Sequence, residues 1–269
     1  DLRPQNGLSM IAGRLAGTDG LGPAGFTVPT LGRLMFGDSD RSAQIGLADV
    51  LAMCRAHPAL TAGDGTAIDV RAACEALGRW DGRGGVDSHG QVLWSRFFRH
   101  LQQDFPPTWW RLPYDPQQPL TTPRGINGED ASVQTAFADA VQAMPAQGEP
   151  FDAAPGAAMR WDGVPLHGCA AEEGCFDAMY AGPASGGNGG VDSSHANIAA
   201  GGSFMMAVEL TPAGPRASTM LTYSESTNPD SPHYTDQTAL FSASQWVTER
   251  FSAADIAACP VLEVTRLRR

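Results

Sequence analysis

The most informative stretch of this chain reads Ser224-Glu-Ser-Thr-Asn-Pro-Asp-Ser-Pro-His-Tyr-Thr-Asp-Gln237 and lies near the C-terminus, between a predicted strand and a predicted helix. Pro229 and Pro232 force an extended path with turns, because proline fixes its own φ and disfavours a helical residue before it. Ser231 and Pro232 together predict the N-cap and first turn of the helix. One face of that helix is predicted to carry Leu240, Phe241, Ser244 and Val247.

Several other blocks accompany this stretch in order along the chain. They are GLSMIAGRLAGTDG at 7–20, PTL at 29–31, LMFG at 34–37, VPLHG at 164–168, GGS at 201–203 and FSASQW at 241–246. Together the blocks resemble the β subunit of the penicillin acylase family, which belongs to the N-terminal-nucleophile hydrolases. Within that family they are similar to the acyl-homoserine lactone acylase branch.

The resemblance implies an α+β fold in which two stacked antiparallel sheets lie between helical layers, a four-layer αββα sandwich. In such enzymes a precursor is cleaved so that a Ser, Thr or Cys begins the β subunit, with its own α-amine as the base. This chain begins Asp1-Leu2-Arg3, and aspartate has no hydroxyl or thiol to activate. We therefore expect residues 1–269 to be the C-terminal part of a β subunit, inactive alone. Its expected partners are the α subunit and the nucleophile-bearing N-terminal part of the β subunit.

The resemblance also implies an activity, which is hydrolysis of linear amides through an acyl-enzyme. The expected substrates are N-acyl-homoserine lactones, with penicillins or lipopeptides as further substrates, in a periplasmic or secreted enzyme. No cofactor and no bound metal are expected, since the sequence lacks H-E-x-x-H, C-x-x-C and P-loop motifs. Two alternatives stay open: a non-catalytic exported binding module, and a free-standing serine hydrolase, for which we find neither a G-x-S-x-G elbow nor a triad.

Local patterns divide the chain into three regions. Residues 1–42 carry Gly and Pro at short intervals, which predicts a loop-rich entry. Residues 43–145 follow the helical period, and residues 146–269 change to period two, with a C-terminal helix and strand. The order predicts a helical half followed by a sheet-rich half, whose strands need partners from elsewhere because unpaired strand edges are unfavourable.

Particular elements are predicted within these regions. Two capping pairs indicate helix starts: Thr66 with Asp69, and Ser88 with Gln91. Further helical stripes cover residues 47–54, 70–77 and 133–144. The predicted strands are residues 159–161, 204–210, 219–224 and 261–267. Residues 182–202 are poor in large apolar side chains and are predicted to form a mobile loop.

Composition excludes some classes of function. The net charge of -11 and the pI near 4.8 argue against binding to a nucleic-acid backbone, which needs clustered cations. No apolar run approaches the roughly 20 residues that span a bilayer. The hydrophobic content of 42% in 269 residues is sufficient for a substantial core.

Five cysteines leave the disulfide connectivity open. Cys169 and Cys175 enclose a polar, turn-like insert that a local bridge can close, and Cys54 and Cys74 lie on consecutive helical patterns. The alternative is five reduced, buried thiols. Because the family resemblance implies export to an oxidising compartment, we favour the two bridges.

Arg3 is the candidate catalytic residue. Aligned through Asn6-Gly-Leu-Ser-Met10, it lies where the resembled family has an arginine close to the nucleophile and to the oxyanion-hole asparagine. A fixed guanidinium there holds polar groups and biases the nearby α-amine toward its neutral form. The alternative is a solvated arginine beside a chain end.

The remaining histidines and aromatic residues carry weaker signals. His233 and Asp236 form a His-x-x-Asp pair at a predicted helix start, where a structural role is expected. His167 and His195 have no partner at ligand spacing, and three histidines are expected at the surface: His57, His89 and His100. An aromatic group lines either an acyl pocket or, as we expect, the edge of a core; its members are Trp109, Trp110 and Tyr114.

Overall fold

The computed structural model describes residues 2–181 and 198–267. Helices in these ranges are α1 (Arg3–Ala16), α2 (Val28–Met35), α3 (Arg41–Ala56), α4 (Arg71–Arg79), α5 (Gln91–Asp104), α6 (Ala131–Ala146), α7 (Pro155–Ala158), α8 (Asp236–Ser242) and α9 (Ala253–Ala257). None of the helices in this described part is long and apolar enough to cross a membrane.

The strands in the described ranges form small antiparallel sheets. They are β1 (Ala59–Thr61), β2 (Ala67–Asp69), β3 (Trp110–Leu112), β4 (Arg124–Ile126), β5 (Arg160–Trp161), β6 (Val164–Pro165), β7 (Met179–Ala181), β8 (Ile198–Gly201), β9 (Phe204–Thr211), β10 (Gly214–Leu221) and β11 (Val247–Thr248). The largest of these sheets has the order β11-β10-β9, and the others are two-stranded. The class is therefore α+β.

The first core lies among helices α3 to α6. Helices α5 and α6 pack against each other, since each presents an apolar stripe at helical spacing. Trp94, Phe97 and Phe137 are fully buried there, and the rings of Phe97 and Phe137 meet edge to face at 5.4 Å. Trp109 extends the aromatic group at the end of α5.

The second core lies between α2, α8 and the three-stranded sheet. It is rich in methionine, an unbranched side chain that fills irregular gaps. The buried members are Met35, Met159, Leu166, Met179, Met205, Ala207, Met220 and Phe241. Phe241 stacks on the ring of His167, so this core ends at a buried polar cluster.

The loop prediction for residues 1–42 is wrong for the stretches that form α1 and α2. Gly7 and Gly13 weaken helix propensity, but Pro4 suits the first turn and Gly17 ends α1 in the left-handed conformation with φ +68°. Tertiary contacts supply the remaining stabilisation of α1. The buried Arg14 forms an ion pair of 2.8 Å with Asp19 and closes the following loop.

Three predicted helix starts are also displaced. Helix α8 begins at Asp236, five residues after the predicted N-cap Ser231. Helix α4 has Val70 as its N-cap, and α5 has Gly90 with φ +105°, so neither predicted capping pair forms a capping box. Backbone conformation sets these starts, which side-chain spacing does not reveal.

Strand predictions have mixed outcomes. Strand β9 confirms the prediction for residues 204–210, and β5 overlaps residues 159–161. The predicted strand at 261–267 is wrong: these residues form no strand and are exposed. The predicted loop at 182–202 lies mostly outside the described residues, and its final part forms β8.

Strand β9 has one buried and one exposed apolar face. Met205 and Ala207 point into the second core, whereas the alternate side chains are 39–87% exposed. The exposed residues are Phe204, Met206, Val208 and Leu210. A contiguous exposed apolar face of this kind is typical of an interaction surface.

Both favoured disulfides are confirmed. Cys54 and Cys74 join α3 to α4 across 20 residues of sequence, and Cys169 and Cys175 close a loop of 6. Cys259 is a free thiol. We call residues 169–177 the disulfide loop.

We predict that replacing both Cys54 and Cys74 with serine lowers the free energy of unfolding by about 3 kcal/mol. The bridge restricts a loop of 20 residues in the unfolded chain, and its loss restores that conformational entropy. Urea unfolding of the assembled protein measures the change. Cys259→Ser is the matched control and is expected to leave the midpoint unchanged. An unchanged midpoint in the double variant would contradict the prediction.

Candidate functional site at the start of helix α1

Arg3 begins α1 with an exposed side chain anchored on the disulfide loop. Its Nε and Nη2 donate to the backbone oxygen of Phe176 at 3.0 and 2.8 Å. The guanidinium carbon lies 5.4 Å from the centroid of the Phe176 ring, within cation–π range. A cavity of about 260 Å³ opens beside it, lined by Arg3, Pro4, Asn6, Gly7, Met10 and Phe176. A cation held in place beside an open cavity is suited to stabilise negative charge there.

The first turn of α1 is fixed by buried amide side chains. Asn6 donates through Nδ2 to the backbone oxygens of Gly174 at 2.7 Å and Ser39 at 3.0 Å. Gln5 donates to the oxygen of Thr122 at 2.7 Å. Gly174 has φ +96°, and a Cβ there would meet that of Leu2 at 3.0 Å. The disulfide loop therefore packs directly on the first turn that carries Arg3.

Behind this loop lies a buried cluster of Asp38, His167 and Asp177. Each side chain is at most 3% exposed. His167 donates through Nε2 to the Phe241 carbonyl at 2.9 Å, and its Nδ1 lies 2.7 Å from Asp38 Oδ2 and 3.8 Å from Asp177 Oδ2. Both ring nitrogens thus face acceptors, an arrangement suited to a doubly protonated, cationic ring.

The electrostatics of the cluster agree with a cationic His167. Burial lowers the pKa of His167, but the charge and hydrogen bond of Asp38, together with Asp177, outweigh burial and raise it. Burial raises the pKa of Asp177 well above its usual range, and the charge of Asp38 raises it further. Asp177 therefore holds a proton to higher pH than a solvated aspartate does.

A second buried carboxyl pair, Asp40 and Glu173, lies nearby. Asp40 caps α3 by accepting from the Ala43 N–H at 3.0 Å, and Ser42 Oγ donates to it at 2.6 Å. Ser95 Oγ donates to Glu173 Oε2 at 2.6 Å. Burial raises the pKa of Asp40 to about 6, and burial with the charge of Asp40 raises that of Glu173 well above its usual range. Both carboxyls therefore hold protons to higher pH than solvated carboxyls do.

The two pairs join the same two segments. Asp38 and Asp40 lie in the turn before α3, while Glu173 and Asp177 lie in the disulfide loop. Among the described residues, Asp38 Oδ1, Asp40 Oδ2 and Asp177 Oδ2 have no hydrogen-bond partner. Buried polar atoms without a partner are unfavourable, so the two segments meet at an electrostatically costly site.

Two groups in the described ranges have residue types that bind metals. One contains Asp40, Cys169 and Cys175, but both cysteines are in a disulfide and have no thiolate to offer. The other is the Asp38, His167 and Asp177 cluster. Its Nδ1 and Oδ2 atoms lie 2.7 Å apart, within the distance of an ion pair.

The other predicted residues lie away from this site. His233 and Asp236 form an exposed pair, with Nδ1 and Oδ2 2.8 Å apart, at the start of α8. His57, His89 and His100 are exposed or partly exposed, as predicted. His195 lies outside the described residues.

The aromatic prediction agrees with the core interpretation. Trp109 is 1% exposed and packs on Phe98 and Trp110, at centroid distances of 5.9 and 4.3 Å. Tyr114 is exposed. These three residues do not line the cavity beside Arg3.

Sequence analysis missed the buried cluster. His167 showed no partner at ligand spacing, because Asp38 is 129 positions away and Asp177 approaches through the loop that Cys169 and Cys175 close. The signal for this cluster that the sequence did offer was the presence of acidic residues beside the predicted Cys169–Cys175 bridge.

Comparisons with known proteins identify relatives of nearly the whole chain. A family model described as Penicillin amidase matches residues 6–258. Aculeacin-A acylase from Actinoplanes utahensis is 38% identical over 99% of this chain and 33% of its own length. Acyl-homoserine lactone acylase PvdQ from Pseudomonas syringae is 32% identical over 81% of this chain and 27% of its own. The chain thus spans about a third or less of the length of these relatives.

One solved structure is also similar. Thermostable penicillin G acylase from Alcaligenes faecalis aligns with 96% of this chain and 52% of its own. The identity is 15% and the TM-score is 0.42.

We predict that Glu173→Gln weakens the pH dependence of stability. Unfolded carboxyls ionise near pH 4, whereas Asp40 and Glu173 hold protons to higher pH when folded, so stability falls as pH rises through that window. Glutamine donates to Asp40 without an ionisable proton. Thermal unfolding of the assembled protein between pH 5 and 8 should therefore show a smaller decline.

Glu172→Gln is the matched control for this prediction. Glu172 is an exposed neighbour in the disulfide loop that accepts from the Tyr180 hydroxyl at 3.0 Å. Its replacement should leave the pH dependence as in the unmodified protein. If Glu173→Gln gives the same decline as this control, the raised pKa of Glu173 is not the cause of the decline.

Proposed function

The chain belongs to the penicillin amidase family, and on that premise we propose that it is the C-terminal part of the β subunit of an exported acylase. The enzyme hydrolyses the amide bond of N-acyl-homoserine lactones, with penicillins and lipopeptides as further substrates. The main support is 38% identity to an acylase over 99% of the chain. That relative is named for aculeacin A, which makes aculeacin A a second substrate to test.

The proposed reaction passes through an acyl-enzyme. A Ser, Thr or Cys at the start of the nucleophile-bearing segment, with its free α-amine as base, attacks the amide carbonyl. The amine or lactone portion leaves, and water then releases the acid. Since none of these groups belongs to residues 1–269 in this proposal, we expect the chain alone to be inactive.

Arg3 is the residue of this chain that we assign to the reaction. Its guanidinium lies beside an open cavity, and Phe176 fixes its orientation through two hydrogen bonds. In the assembled enzyme it holds the oxyanion-hole asparagine and disfavours protonation of the nearby α-amine. The anchored geometry supports this role over that of a solvated arginine.

The proposed partners are the α subunit and the preceding part of the β subunit. The exposed apolar face of β9 supports this assembly, because the stacked sheets of a four-layer sandwich bury such faces. The chain also spans only a third of the length of aculeacin-A acylase. Two disulfides support a periplasmic or secreted location, since they persist in oxidising compartments.

We predict that Arg3→Ala lowers kcat of the assembled enzyme by roughly 10²-fold, as the loss of a donor at the reacting group does. Arg3→Lys should restore only part of the rate, because an ammonium cannot reproduce the planar fork. Steady-state hydrolysis of an N-acyl-homoserine lactone and of aculeacin A measures both variants.

Arg160→Ala is the matched control for Arg3→Ala. Arg160 is also exposed and donates to a backbone oxygen, that of Gly163, at 2.9 Å. Its loss should leave kcat unchanged. A normal kcat in Arg3→Ala would remove the assigned role, whereas hydrolysis of neither substrate by the unmodified enzyme would reject the proposed activity.

We predict that Met206→Asp weakens assembly. Met206 is 51% exposed in the middle of the apolar face of β9, and burying a carboxylate against a partner is unfavourable. Native mass spectrometry of the co-expressed polypeptides should show less assembled enzyme. Leu112→Asp, at a side chain 53% exposed on β3, is the control and should assemble normally. Equal assembly of the two variants would exclude β9 as the covered surface.

A further inference from the structure

We propose that His167 is a positioning residue for Arg3: its buried, cationic ring holds the disulfide loop in the place where the Phe176 carbonyl orients the guanidinium. The inference rests on the proposed role of Arg3. It adds that the rate depends on a side chain that touches neither substrate nor nucleophile.

The physical connection runs through adjacent groups. His167 Nδ1 lies 2.7 Å from Asp38 and 3.8 Å from Asp177, which follows Phe176 directly in sequence. The Phe176 carbonyl accepts from Arg3 at 2.8 and 3.0 Å. The charge of Arg3 also acts on Asp177. A shift of Asp177 therefore moves the oxygen that holds Arg3.

The surroundings of His167 leave little freedom for a neutral ring. Its faces are covered by aromatic side chains, with Phe241 stacked at 4.1 Å and Phe36 edge-on at 5.5 Å. Nε2 must keep its proton, because the Phe241 carbonyl at 2.9 Å can only accept. A neutral ring would then turn the lone pair of Nδ1 toward Asp38. These two acceptors at 2.7 Å repel, so His167 and Asp38 move apart, and both of them face Asp177 of the disulfide loop.

The titratable groups that face the ring are Asp38, from the turn before α3, and Asp177, from the disulfide loop. Arg3 acts from α1 through Asp177. Since the carboxyl groups raise the pKa of His167, the ring loses its charge only as pH rises above its ordinary range. The rate should therefore fall on the alkaline side as His167 deprotonates.

A double-mutant cycle in the assembled enzyme tests the coupling. His167→Gln keeps an amide donor but no charge, and we expect kcat to fall roughly tenfold or more while KM changes little, since a misplaced group affects the chemical step. In an Arg3→Ala background the same substitution should have almost no further effect. That non-additivity is expected of a residue acting through Arg3 and is not expected of general destabilisation.

Asp38→Asn supplies a second, milder test that retains the shape of the side chain. Without the carboxylate charge the alkaline limb of the pH–rate profile should move to lower pH. His233→Gln is the matched control, since His233 forms a similar His–Asp pair of 2.8 Å at an exposed site. Its kcat and pH profile should equal those of the unmodified enzyme.

The outcomes separate the two proposals. If Arg3→Ala lowers kcat strongly and His167→Gln lowers it by its full factor again in the Arg3→Ala background, the positioning role is rejected and the role of Arg3 stays intact. A normal kcat in Arg3→Ala would reject both. An unmoved alkaline limb in Asp38→Asn also contradicts the positioning role. Metal analysis of the purified enzyme gives a further test. One divalent ion per chain in the unmodified enzyme, and none in His167→Gln, would mean that the cluster is a metal site and would contradict the positioning role.

Discussion

Two buried carboxyl pairs join the turn before α3 to the disulfide loop, and the arrangement around α1 depends on them. Asp38 meets Asp177, and Asp40 meets Glu173, with all four groups almost completely buried. Four ionised carboxylates could not remain there, since desolvation and mutual repulsion act in the same direction. Burial raises the pKa of Asp40, Glu173 and Asp177, which reduces the negative charge held there, and the ring of His167 faces Asp38 and Asp177.

The joined segments place α1. Asn6 bonds to both of them, through Ser39 and Gly174, and Arg3 bonds to the disulfide loop through Phe176. The Cys169–Cys175 bridge restricts the same loop covalently. The position of an exposed arginine is thus set by buried groups that belong to the two hydrophobic cores, because Asp40 caps α3 in the first and His167 stacks on Phe241 in the second.

Sequence patterns over short stretches predicted the elements whose structure depends on neighbouring residues. The alternation in β9 and the apolar stripe of α6 were foreseen from spacing, whereas the two short-range disulfides were favoured because of the family resemblance. Helix α1 was missed, because Gly7 and Gly13 lower propensity and the compensating contacts of Asn6 come from distant residues. The His167 cluster was missed for the same reason, since its members meet only after both segments fold.

The failed strand at 261–267 has a different physical cause. A period-two apolar pattern predicts a strand only when a sheet edge and a covering surface are available, and in this chain those residues are exposed. Strand β9 shows the same deficit on one face: Met205 and Ala207 are covered, whereas Met206 and Val208 are not. The apolar side chains of the helical core cover one another, whereas one apolar face of the three-stranded sheet stays exposed. Burial within the described residues therefore accounts for only part of the apolar pattern in the second half, and the assembly proposed above would cover the rest.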